Sequence, residues 1–370
     1  MKSLELFSGT GGLAKGLELA GFKHMAFVEN NKHASSSLRE NFDPKIVFNG
    51  DVKDFDFSGL SEIDIVAGGP PCQPFSLGGK HKADEDHRDM FPYAINAIEK
   101  LQPKAFIFEN VKGLLRSSFA DYFEYIILRL SYPDFGGEDD WRNHLIQLRN
   151  LTPDSYDGIH YDVSFKLINA ADYGVPQIRE RVFIVGIRSD LGKKWEFPKP
   201  THSQDRLIWE QYVTHSYWEK HNLQIEKNDK ASHKLSQRYG LFEPTEKPWQ
   251  TVRDALRQVP DPLTENGIED HTFRGGAKIY PGHTGSYIDL PSKTLKAGSH
   301  GVPGGENMIR YKDDSVRYFT VYEGKLIQTF PPDFKIVGAW GEAMRQIGNA
   351  VPVLLAHKMG QALMSLLNEK

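Results

Sequence analysis

At 370 residues, with 39% hydrophobic and 25% charged side chains, the chain can bury one large or two moderate cores and has the balance of an ordinary soluble protein. Its one cysteine excludes an internal disulfide and any zinc site built from several thiolates, so no metal is expected, and it agrees with a reducing, cytoplasmic compartment. A net charge of −4 does not announce nucleic-acid binding, although a local basic cleft is compatible with an acidic exterior; MKSLELFSG is too weakly apolar for a signal peptide, no run approaches membrane-spanning length, and no membrane partner is expected.

In chain order, Leu4-Glu5-Leu6-Phe7, then Ser8-Gly9-Thr10-Gly11-Gly12, then the amphipathic residues 13–20 read as strand, glycine-rich turn and helix, capped by Gly21. Glycines at such a turn permit positive φ and let the backbone approach a ligand closely. A second strand, Met25-Ala26-Phe27-Val28, ends in Glu29, about twenty residues after the glycines, where a ribose-binding acid stands in this layout. The combination points to a cofactor carrying an adenosine ribose, with a merely structural turn as the alternative. Past a third strand, Ile46-Val47-Phe48, Asp51 reads equally as a turn aspartate or an adenine contact.

Ile63-Asp64-Ile65-Val66-Ala67 reads as a short buried strand that Gly68-Gly69-Pro70-Pro71 ends abruptly, so Cys72 lies just past its C-terminal end. In an open α/β sheet that edge is where ligands bind, and the position leaves both a reactive thiol and an inert loop cysteine open. Helical spacing at 93–101 and 122–130 alternates with strands at 105–108, 161–167 and 181–187, which gives an α/β fold with a mostly parallel sheet. The strand at 105–108 runs directly into Glu109. Taken alone this is a strand-end acid paired with a base; beside a thiol it is a candidate general acid. The glycine-hinged, partly basic run from Leu77 through Lys80 to Arg88 and Phe91 reads as a mobile lid contacting phosphate, or as a plain surface loop. Between Arg188 and Arg317 the alternation dissolves into roughly 130 residues rich in turns and aromatics, too long for a connection, so this segment forms its own unit. An amphipathic stretch over 353–367 then needs a core to cover.

Six motifs in order now resemble the DNA (cytosine-5) methyltransferase family that uses S-adenosylmethionine. They are Phe7-Ser8-Gly9-Thr10-Gly11-Gly12, Pro70-Pro71-Cys72-Gln73, Glu109-Asn110-Val111, Gln177-Ile178-Arg179-Glu180-Arg181, the run from Arg317-Tyr318-Phe319-Thr320 through Glu323, Gln328, Phe330 and Pro331, and Gly348-Asn349-Ala350-Val351-Pro352. The resemblance implies a doubly wound, mostly parallel seven-stranded Rossmann-like sheet in a catalytic domain at 1–189, a smaller target-recognition domain at 190–310, and a return to the catalytic domain at 311–370 ending in a helix. Residues 131–160 depart from the simplest family pattern as an insertion before the sixth strand.

The resemblance also implies the chemistry. C5 of cytosine is a poor nucleophile, and thiolate addition at C6 activates it, dividing one hard step into two. Cys72 has this role, Glu109 delivers a proton or hydrogen bond at N3, Arg181 binds O2 of the base and holds Glu109, and Arg179 stands nearby; surface pairing on a strand is the plainer reading of both arginines. S-adenosylmethionine, leaving as S-adenosylhomocysteine, is assigned to Phe7, Ser8, Gly9, Thr10, Gly11, Gly12, Glu29, Asn30, Asp51, Val52, Pro71, Asn349 and Ala350. Duplex DNA, with its target cytosine flipped out of the stack, is assigned to Ser76, Lys80, Arg88, Gln177, Arg274, Lys278, Thr294 and Leu295, the last two being the family's threonine-leucine pair. Arg274, Lys278 and Lys296 read as guanine or phosphate contacts, or equally as solvated charge. The expected protein is a cytoplasmic, nucleoid-associated monomer that modifies DNA for a separate cognate endonuclease. The alternative is transfer-RNA cytosine methylation, which the long second domain disfavours.

Overall fold

The structure, a computed structural model, describes residues 1–71, 89–137, 140–224, 235–237, 242–297 and 307–369. Strands β1 (Lys2–Leu6), β2 (Lys23–Glu29), β3 (Val47–Asn49), β4 (Ile65–Gly68), β5 (Ala105–Val111), β6 (Tyr161–Asn169) and β7 (Glu180–Arg188) form one sheet in the order β3-β2-β1-β4-β5-β7-β6. Pairing is parallel from β3 through β5, and β7 runs antiparallel to β5. Helices α1 (Gly12–Leu19), α2 (Lys32–Asn41), α3 (Phe91–Leu101), α4 (Ala120–Ser131) and α5 (Trp141–Arg149) belong to the same part of the chain. The seven-stranded, mostly parallel sheet is the one expected.

The apolar runs explain this arrangement. Ile65, Val66 and Ala67 in β4 and Ala105 to Phe108 in β5 are fully buried, as in a parallel sheet covered on both faces. Helix α3 buries Phe91, Ala94, Ile95 and Ile98, and α4 buries Phe123, Ile126 and Leu130, in the same core as Val66, Phe106 and Phe108. Those spacings make one helical stripe each, and burying each such side chain stabilises the fold by about 1.5–3 kcal/mol.

The chain divides into two compact units. The first comprises Met1–Ile168, Glu180–Pro198 and Ala356–Lys370; the second comprises Asn169–Arg179 and Lys199–Leu355. The second unit therefore extends past the expected boundary at 310 to Leu355, and also takes in residues 169–179. Its strands explain why: Met308–Arg310 pairs with both Ser286–Tyr287 and Val316–Tyr318, and Gln328 is hydrogen-bonded to Gln177. Contrary to the sequence expectation, the stretch Trp340–Asn368 is apolar and long enough to cross a membrane by composition alone. It is two helices, Trp340–Asn349 and Val353–Asn368, and half of its apolar window is buried within the protein, which makes it core material.

Within the first unit the sheet has its switch point between β1 and β4, because β2 follows β1 on one side while β5 follows β4 on the other. Crevices beyond the carboxyl ends of strands at such a point receive ligands. The register places Leu6, Gly68 and Phe108 side by side, so the residues after them emerge together at one edge. Gly68 permits this approach: a Cβ there would lie 2.2 Å from the Leu6 carbonyl oxygen. Gly68→Ala is expected to destabilise the protein by about 3 kcal/mol, the upper range for overpacking, because the obstacle is backbone. Urea unfolding with an unchanged midpoint would contradict the strand register.

Candidate active site

The first loop at this edge is built by backbone geometry. Phe7 and Gly9 have φ of 50° and 54°, and a Cβ at Gly9 would meet nothing, so the turn exposes its backbone to open space. Glu29, at the end of β2, fixes the loop. Its Oε2 accepts from Gly9 N at 2.7 Å and its Oε1 from Asn31 N at 2.7 Å, although the side chain is nearly buried. Ser8 Oγ donates to the Glu5 carbonyl at 2.8 Å. Thr10 Oγ1 is buried and has no hydrogen-bond partner. Nearby, Asn30 is exposed, and Val52 is buried. Asp51 Oδ1 accepts from Lys53 N at 3.0 Å, so the turn role open for Asp51 is filled.

The second element is an acid held by an arginine. Glu109 ends the apolar run of β5, and Arg181 stands near the start of β7. The antiparallel register sets Glu109 opposite Phe183 and Arg181 opposite Val111, which makes Glu109 and Arg181 diagonal neighbours on one face. Arg181 Nε lies 2.8 Å from Glu109 Oε1, with both side chains largely buried. The pair is ionic without an aligned hydrogen bond, so Oε1 retains acceptor capacity. A Cβ at Gly69 would sit 3.7 Å from Glu109 Oε2, which places the chain just before Cys72 against the carboxylate. Asn110 Nδ2 donates to the Pro70 carbonyl at 3.0 Å, and Met90 N donates to the Pro71 carbonyl at 3.2 Å. Cys72, Ser76, Lys80 and Arg88 lie outside the described residues.

Residues of the second unit require corrections. Gln177, expected on DNA, is fully buried: its Oε1 accepts from Leu295 N at 3.0 Å and its Nε2 donates to Gln328 Oε1 at 3.1 Å. Gln328 Nε2 in turn donates to the carbonyls of Ile347 and Ala350. Leu295, also expected on DNA, is 1% exposed, and Thr294 Oγ1 donates to the Ile178 carbonyl at 2.8 Å. Leu295 is thus internal, while Thr294 stays partly exposed and bonded to the Ile178 carbonyl. Arg179, expected beside the reacting base, is 1% exposed and donates to the Gly348 carbonyl at 2.8 Å and the Leu295 carbonyl at 3.4 Å. It is a cross-brace. Arg274 and Lys278 are exposed, with the Arg274 guanidinium 4.2 Å from the Trp340 ring centre. Asn349 is exposed at the end of its helix, while Ala350 is buried. Arg317 grips Glu323 bidentately at 2.7 and 2.6 Å. Burial works against that guanidinium, yet the Glu323 carboxylate raises its pKa above the ordinary arginine value.

Compared with known proteins, the chain matches the C-5 cytosine-specific DNA methylase profile over residues 1–138 and 148–365. The chain belongs to that family. The type II methyltransferase M.NgoMIV of Neisseria gonorrhoeae is 30% identical over 368 residues, covering 100% of this chain and 98% of that protein. M.PspPI of Psychrobacter sp. (strain TA137), also a type II methyltransferase, is 32% identical over 368 residues, covering 99% and 79%. The crystal structure of the S. pombe Dnmt2 methyltransferase superimposes with a TM-score of 0.60 at 19% identity over all of both chains, a likeness of fold.

The protein is a DNA (cytosine-5-)-methyltransferase. Two groups that shape this methylase escaped the sequence reading. His271, buried, bridges Thr320 Oγ1 at 2.9 Å and the Pro260 carbonyl at 2.8 Å, and Tyr122 donates its hydroxyl to Asp89. Both join residues distant in sequence, and no local pattern marks them. For Gln177, replacement by alanine is expected to lower stability by about 2–4 kcal/mol, since it strips partners from two buried groups. Chemical denaturation measures this. A stability loss under about 0.5 kcal/mol would return Gln177 to the surface role.

Proposed function

We propose that the chain is the modification enzyme of a type II restriction-modification system, methylating C5 of a flipped cytosine within a specific duplex sequence through a covalent bond to Cys72. The observation that carries the chemistry is the Glu109–Arg181 pair packed against Gly69, three residues before the only cysteine. The modification role is supported by full-length relatives named as type II methyltransferases.

The residues present suit S-adenosylmethionine. Thr10 Oγ1 is an orphaned buried polar atom, Gly9 leaves open space, and the pinned Glu29 carboxylate is a natural acceptor for ribose hydroxyls. Phe7 to Gly12 and Glu29, with Asn30, Asp51, Val52 and Pro71, would hold it. When bound it supplies an activated methyl group.

The chain's own residues do the rest. The Cys72 thiolate forms a bond to C6, and the displaced π electrons enrich C5 while charge builds toward N3. Glu109, oriented by Arg181, must carry a proton to donate it or a hydrogen bond at N3, and Arg181 has further donors for O2. After methylation the C5 proton departs and the thiolate is expelled, which restores the aromatic ring and the free enzyme. Extruding the cytosine costs a few kcal/mol, met by contacts to the flipped base and backbone. Arg274 and Lys278 are the second unit's candidates for those backbone contacts.

Cys72→Ala is expected to abolish methyl transfer while cofactor and DNA binding remain measurable, and 5-fluorocytosine DNA should trap an adduct, since fluorine cannot leave C5 as a proton does. Methyl transfer at the wild-type rate in Cys72→Ala would end the covalent mechanism. Glu29→Ala should weaken cofactor binding by about 1.5–3 kcal/mol, the worth of hydrogen bonds to a charged acceptor. Calorimetry giving an unchanged affinity would reduce Glu29 to a clamp on the loop.

A further inference from the structure

Residues 131–160 take no part in this chemistry, and the family profile passes over the stretch between 138 and 148, which holds most of α5. The added helix is nonetheless tightly placed on α4. Arg149 reaches Glu124 at 2.5 Å and Asp121 at 3.0 Å, although exposed ion pairs of this kind contribute little. The aromatic contacts carry more. Trp141 meets Tyr122 edge-on with ring centres 5.2 Å apart and lies 5.7 Å from Tyr125, while the His144 ring stacks on Phe135 at 5.6 Å. Trp141 Nε1 is buried with no hydrogen-bond partner, an unfavourable arrangement, so ring contact and not hydrogen bonding accounts for a tryptophan here.

Tyr122 also reaches away from α5. Its hydroxyl donates to Asp89 Oδ2, whose other oxygen accepts from Phe91 N at 3.1 Å. Asp89 is the first described residue after the stretch that carries Cys72, and Met90 beside it donates to the Pro71 carbonyl at the other end of that stretch. One end is thus tied to β5 through Asn110, and the other to α4 through Tyr122.

We propose that α5 is a brace for the nucleophile: Trp141 fixes the Tyr122 ring, Tyr122 holds Asp89, and Asp89 sets where the Cys72-bearing chain rejoins the fold. Tyr122, Asp89 and Trp141 are positioning residues. The inference rests on Cys72 being the nucleophile. It predicts that loss of the brace slows attack on C6 without touching the cofactor loop.

The test is single-turnover adduct formation by the full-length protein with saturating S-adenosylmethionine and a 5-fluorocytosine duplex bearing its own methylation site, mapped by bisulfite sequencing. Wild type, Tyr122→Phe, Trp141→Leu and the double variant are compared. Tyr122→Phe keeps the ring and its packing, so folding is preserved while the hydroxyl is lost. Each single variant should form adduct about tenfold more slowly, the rate equivalent of one hydrogen bond to a charged acceptor, with cofactor affinity unchanged. The double variant should be no slower than the slower single variant, because both act through one contact. Absence of an adduct in wild type would overturn the nucleophile itself. An adduct in wild type with Tyr122→Phe forming it equally fast, or a double variant slowed by the product of the two effects, would overturn the brace.

Discussion

The catalytic edge depends on β7 running antiparallel to β5. A nine-residue strand spans about 30 Å, so a parallel β7 would have carried Arg181 to the far edge of the sheet from Glu109. Reversal brings the start of β7 to the end of β5, and the period-two alternation then decides which face the arginine shares. Burial makes the pair interdependent. Removing either partner leaves an uncompensated charge in a low-dielectric site, which is far costlier than losing an exposed ion pair. The same geometry holds the carboxylate in one orientation, the preorganisation that its proposed role calls for.

The second unit is held together differently. Its strands are two or three residues long, too short for ladder hydrogen bonds to define it. Buried side chains add to them: the Gln177 and Gln328 amides and the Arg179 guanidinium join segments distant in sequence, and Arg317 grips the Glu323 of the Thr320 capping box. Buried polar contacts of this kind favour one arrangement, since an alternative strands a buried donor or acceptor. The unit therefore depends on side-chain chemistry where the first depends on strand register.

The sheet was legible because its determinants are local. Glycines after β1, an acid closing β2 and an acid near the end of β5 are each written within a few residues of a strand end. The strand order sets the loop after β1 and the ends of β4 and β5 at one edge. What the sequence could not show was direction and burial. Nothing local distinguishes Arg181, which reaches the carboxylate, from Arg179, which turns inward two residues earlier on the chain. Gln177 and Leu295 resemble a surface for DNA only while their partners across the second unit are unknown. The extent of the second unit to Leu355 was not legible for the same reason, since the contacts that carry it there link residues far apart in sequence. The insertion was visible as an interruption, but its meaning lay in Tyr122 and Asp89 on elements it does not contain.

The Glu29 clamp on Gly9 has a consequence for the order in which the site can come into being. That contact closes a segment of 20 residues, whereas the Glu109–Arg181 pair closes one about three to four times longer, across the whole of the insertion. Loop-closure entropy rises only logarithmically, so the longer closure costs about 1 kcal/mol more, yet it also requires every intervening element to be in place. Closure of the Glu29 contact therefore depends on fewer elements than closure of the Glu109–Arg181 pair. The two proposed halves of the site thus place different demands on the folding chain, one of them local and the other spanning several elements.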